Sequence, residues 1–156
     1  MKRVQLLKEL MHNLEHGFDD SRTRPMTIMI SKGLNIDKQD QKLIFDFCDM
    51  CANALDLKQD YQCYLSDDRK RSKIVTSAIC DFSKKNIRIY CHQRALADIL
   101  RSIAHEMYHL RQNELNLVPK KMKKHHVEPV EWHANAAAGS LLSYFAQEVG
   151  RDKIYR

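Results

Sequence analysis

The chain has 156 residues, 44% of them hydrophobic and 29% charged, with a formal net charge of +6. That length suits one domain of ordinary size, and that apolar content excludes a disordered chain. No apolar run approaches the roughly 20 residues of a membrane span, and the opening MKRVQLLKEL has no sustained apolar stretch of the kind a secretory leader needs.

Residues 4–16 predict a first amphipathic helix, with Leu6, Leu7, Leu10, Met11 and Leu14 on its apolar side. Residues 17–24 read as a polar loop, and residues 26–30 have strand propensity over a short length. Asp37 is the expected N-cap of a second helix that runs to about residue 57. Within it, Leu43, Phe47, Cys51 and Leu55 follow at helical spacing, so the pair Cys48-x-x-Cys51 reads as small apolar thiols on a buried face. The five cysteines (Cys48, Cys51, Cys63, Cys80 and Cys91) form no disulfide framework. Reduced thiols are therefore expected, and with them a cytoplasmic protein.

Three strands are expected next, over residues 61–65, 74–82 and 86–91. Ser83-Lys84-Lys85 leaves a hairpin-sized gap between the last two, and Ile87, Ile89 and Cys91 alternate with Arg88 and Tyr90 as in a half-buried strand. A long helix follows over about residues 94–115, with Leu96, Ile99, Leu100, Ile103, Met107 and Leu110 as its core stripe. A basic loop fills residues 116–127. A last helix starts near Pro129, carries Ala134, Ala138, Leu141, Leu142 and Phe145 on its apolar face, and stops at Gly150. The order predicts one α+β domain: a helical part over residues 1–60, then a small sheet and two site-bearing helices over residues 61–150.

The long helix carries His105-Glu106-Met107-Tyr108-His109 on a face beside its core stripe. Residues four apart share a helix face, so both imidazoles can reach one metal ion while Glu106 sits at the rim of the same site. Two nitrogen ligands and a non-ligating carboxylate are the set a zinc hydrolase uses. A catalytic zinc ion takes a third protein ligand, and the downstream candidates are Glu114, His125, His126, Glu128, Glu131 and His133. Glu114 lies on the same helix and cannot turn back, whereas His125 and His126 belong to the lysine-rich loop. Glu131 opens the last helix 22 positions after His109, room enough for a loop and a reversal. It is the expected third ligand, with Asn135 one turn on to support it by hydrogen bonding.

Residues 103–110, Ile-Ala-His-Glu-Met-Tyr-His-Leu, resemble the active-site helix of gluzincin-type metallopeptidases. Glu131-Trp132-His133-Ala134-Asn135 resembles the E-x-x-A-N helix of the ImmA/IrrE-type metallopeptidases, and the chain is also similar to small H-E-x-x-H proteins encoded by bacteriophages. The likeness spans about residues 61–149. It implies a minimal zincin core and one Zn²⁺ per chain on His105, His109 and Glu131. It also implies Glu106 as general base in peptide hydrolysis. His133 stands where such helices commonly carry an acidic residue, and no helix-turn-helix accompanies the domain.

For the oxyanion, Tyr108, His126, His133 and Tyr144 are equal candidates as donors. The strand over residues 86–91 is expected to lie beside the cleft and receive an extended protein or peptide substrate by strand addition. A second reading is a binding protein with a structural zinc site, closed by His133 or His126. That protein would contact nucleic acid through the basic clusters at residues 69–73 and 120–124. Neither cluster is interleaved with aromatic residues, and solvated loops explain both.

Overall fold

The computed structural model of the chain describes residues 1–21, 26–119 and 129–156. In order along them run helix α1 (Arg3–His16), strand β1 (Thr27–Ile30), helix α2 (Lys38–Ala54) and strands β2 (Gln62–Ser66), β3 (Ala78–Asp81) and β4 (Asn86–Tyr90). Helices α3 (Leu96–Glu114), α4 (Pro129–Val149) and α5 (Arg151–Ile154) follow. Together they make one α+β domain with a four-stranded mixed sheet. Among the described residues no helix is long and apolar enough to cross a membrane.

The local chemistry accounts for most element ends. Asp37 caps α2, its carboxylate accepting from the Asp40 backbone N–H at 2.8 Å. Leu43, Ile44, Phe47, Cys48 and Cys51 then face inward, and both thiols are fully buried in the core. At the β3–β4 hairpin the Asp81 carboxylate accepts from the Ser83 hydroxyl at 2.9 Å and the Lys84 N–H at 3.1 Å. That turn chemistry reverses the chain within four residues. Gly150 stops α4 at φ 106°, a backbone state that favours glycine. The chain then makes the short α5, which the sequence pattern does not announce and whose Ile154 is buried.

The strand order is β1-β2-β4-β3. β2 pairs parallel with β1 on one side and with β4 on the other, and β3 closes the sheet antiparallel to β4. Ile28, Cys63 and Ile87 lie in one row across the sheet, and Ile30, Leu65 and Ile89 in the next. The strand propensity read over residues 26–30 is borne out as β1, which supplies an edge strand of the same sheet beside the two helices of the first 60 residues. One expectation needs correction. The strand expected over residues 74–82 shortens to Ala78–Asp81. Lys73 takes a positive φ of 56°, and the Ile74 N–H bonds back to the Arg69 carbonyl, so the segment before Ala78 is held in a turn.

α3 is the centre of the domain. It packs on β3 and β4 and also on α2 and α4. Its buried set includes Leu96, Ile99, Leu100, Ile103, Met107 and Leu110, the whole of the expected stripe. α4 lies along it through Ala134, Ala138, Leu141 and Leu142, and Phe145 meets Phe47 of α2 edge-on at 5.1 Å. The small alanines let α4 approach closely. One arc of α3 stays open, marked by Asp98, Arg101, Ser102 and His105 at helical spacing.

Candidate metal centre

His105 and His109 leave α3 on the same side, four residues apart, and Glu131 meets them from the first turn of α4. The two imidazole Nε2 atoms are 3.1 Å apart. Glu131 Oε2 lies 3.1 Å from His105 Nε2, and Oε1 lies 2.8 Å from His109 Nε2. These atoms form the one group of metal-ligating side chains found among the described residues. A tetrahedral ion with bonds of about 2.0 Å holds its donors about 3.3 Å apart, so the three donors nearly have the spacing that zinc requires. Two imidazoles and a carboxylate also match the donor chemistry, and the fourth position has no protein ligand among the described residues.

Charge organises the cluster. Hydrogen bonds from His105 and His109 hold the Glu131 carboxyl well below the usual carboxylate range. Burial alone would lower the His109 pKa, but the Glu131 hydrogen bond and the Glu106 charge overcome it and the net shift is upward. Glu106 is 8% exposed, and burial pushes its carboxyl upward. A raised carboxyl beside the cluster is poised for proton transfer.

Gln112 completes the centre and was not singled out from the sequence. It is 1% exposed. Its side-chain N–H₂ donates to the Val130 carbonyl at 3.2 Å, so its oxygen faces His109 Nδ1 at 2.7 Å. That oxygen can only accept. His109 Nδ1 therefore carries a proton, and Nε2 is the nitrogen that faces the cluster, where it meets Glu131 and can be given up to a metal ion. The same amide clips α3 to the residue before Glu131, which sets the two helices in register at the site. The sequence signal was available: Gln112 is three residues after His109, on a neighbouring position of the same helix face.

A cleft of about 320 Å³ reaches the cluster at His105. Its walls include Thr76, Ser77 and Ala78 at the start of β3, Arg101 and Ser102 of α3, and Asn135 of α4, with His105 and Glu106 at its floor. β4 cannot receive a substrate strand as expected, because β2 and β3 already occupy both of its sides. The free edge beside the cleft belongs to β3.

Of the remaining candidates, Asn135 lines the cleft but makes no hydrogen bond to Glu131. Tyr108 is fully buried, its hydroxyl finds no partner among the described residues, and it does not line the cleft. His133 is two residues past Glu131, about 200° around the helix, and its buried Nδ1 has no hydrogen-bond partner among the described residues. Tyr144 lies about 20 Å along α4 from Glu131 and packs against Phe18 at 5.9 Å. His125, His126, Glu128 and the lysine cluster at residues 120–124 lie outside the described residues. Glu114 is occupied far from the cluster. It accepts from the Lys58 N–H at 3.0 Å, the Tyr61 hydroxyl at 2.6 Å and Arg111 at 3.0 Å.

Comparison with protein-family models, with curated proteins and with solved structures returns no match.

Proposed function

We propose that the protein is a zinc-dependent metallopeptidase, similar to gluzincins of the ImmA/IrrE type and to the small phage-encoded H-E-x-x-H proteins. One observation carries this reading: Glu106 is buried at the floor of an open cleft, beside two imidazoles and a carboxylate grouped at metal-ligand spacing. His105, His109 and Glu131 hold one Zn²⁺. When bound, that ion supplies a Lewis acid and lowers the pKa of a water molecule.

The chain's own groups do the rest. Glu106 takes the proton of the attacking water and passes it to the leaving amine. Gln112 keeps His109 in the tautomer that presents Nε2. An extended peptide lies along the free edge of β3. Asn135 lines the same cleft from α4 and supplies a side-chain amide donor for the developing oxyanion. Among the described residues three protein donors rather than four meet at the site, which favours an open catalytic site over a closed structural one.

The test is Glu106→Gln. It is expected to retain one zinc per chain by elemental analysis while peptide hydrolysis falls by about 10²–10⁴-fold, the usual contribution of a positioned general base. Glu131→Ala is expected to lose the metal. Purified protein that takes up no divalent metal would sink the proposal.

A further inference from the structure

The cleft contains a cation that the proposed chemistry does not use. Arg101 lies four residues before His105 on the open arc of α3 and lines the same cleft. Its side chain crosses toward α4, where a Cβ added at Gly139 would lie 3.7 Å from its Nη1. Arg101 has no ion-pair or hydrogen-bond partner among the described residues. Asp98, one turn earlier, lines the cleft as well but is not paired with it.

Arg94, the other arginine of the cleft, is the contrast. Its guanidinium is committed to the Tyr90 carbonyl at 2.7 Å, the Asp98 carbonyl at 3.0 Å and the Ser102 hydroxyl at 2.8 Å. Arg94 therefore braces the cleft, while Arg101 presents to it donors that no described residue takes up. A guanidinium offers a planar fork that matches a carboxylate in two parallel hydrogen bonds.

We propose that Arg101 is a specificity-determining residue that selects peptides with an acidic side chain within about two residues of the scissile bond. This rests on the hydrolase reading above. The position follows from geometry. One helical turn separates Arg101 from His105, about 6 Å along the axis. An extended peptide advances about 3.3 Å per residue. The acidic side chain then falls within about two residues of the bond cut. Glutamate suits the site better than a bulky apolar residue, because the cleft lining is mostly polar, with Thr76, Ser77, Asp98, Ser102 and Asn135 beside Ala78.

The experiment uses zinc-supplemented protein and paired fluorogenic peptides that differ only by Glu or Gln at each position flanking the cut. The wild type is expected to favour the Glu peptide by about tenfold in kcat/KM at one of these positions. In Arg101→Gln that ratio falls to near one, and in Arg101→Glu the preference moves to a Lys peptide. Equal cleavage of both peptides by the wild type, or a ratio that Arg101→Gln leaves unchanged, overturns the inference and leaves the hydrolase reading standing. Binding of the same peptides to Glu106→Gln protein, followed by fluorescence anisotropy, separates the two. Peptides that bind in an Arg101-dependent, Glu-selective way but are never cut by the wild type would keep the acidic recognition and reject the hydrolysis. Peptides that neither bind nor are cut reject both.

Discussion

At the residue level the centre depends on one amide. Gln112 fixes the His109 tautomer and, through the Val130 carbonyl, the start of α4. Gln112→Ala is expected to weaken zinc binding by about 10–100-fold, the usual cost of losing the group that orients a ligating histidine, as read by competition with a chelating dye. Gln112→Glu keeps an acceptor for Nδ1 but loses the donor to Val130. It is expected to fall between the wild type and alanine. H-E-x-x-H was legible in the sequence because it depends only on helix periodicity. Tyr108 shows the limit of that kind of reading. It lies between the two histidines in the motif, yet its hydroxyl is packed away from the cleft.

At the level of elements, the carboxylate of Glu114 ties the end of α3 to the segment that enters β2. It accepts from two backbone N–H groups, the Tyr61 hydroxyl and Arg111, and its side chain is only 4% exposed. Removing it strands those donors, so Glu114→Ala is expected to cost about 2–4 kcal/mol in chemical denaturation. In that variant the candidate metal ligands His105, His109 and Glu131 are themselves untouched. Glu114 was set aside as a metal ligand because it could not turn back along its own helix, and its position bears out that geometric argument. The edge strand is the opposite case. Both β3 and β4 have strand-like sequences, and alternation says nothing about which neighbours a strand acquires. The open edge fell to β3 because β2 inserted beside β4 in parallel, a pairing between segments some 24 residues apart in register (Gln62 to Asn86).

For the molecule as a whole, the candidate metal centre bridges α3 and α4, the two helices that also share the largest packed interface. A ligand that binds only the folded state stabilises it by mass action, by about 2.7 kcal/mol at a hundredfold excess over Kd. Zinc is therefore expected to raise the Tm of the wild type, a chelator to reverse it, and Glu131→Ala to abolish the shift in a thermal melt. The sequence by itself determined the helices, the helical placement of His105 and His109, the buried stripe of α3 and the α+β class, because each follows from periodicity within one segment. It also pointed to Glu131, since a helix start downstream is where a reversing chain can return a carboxylate. Only the tertiary structure decided that β1 joins the sheet, that β3 rather than β4 borders the cleft, that Tyr144 and His133 face away, and that Gln112 and Arg101 flank the site. Those facts depend on contacts between segments distant in the chain, where packing of the whole core chooses the neighbours and no local pattern records them.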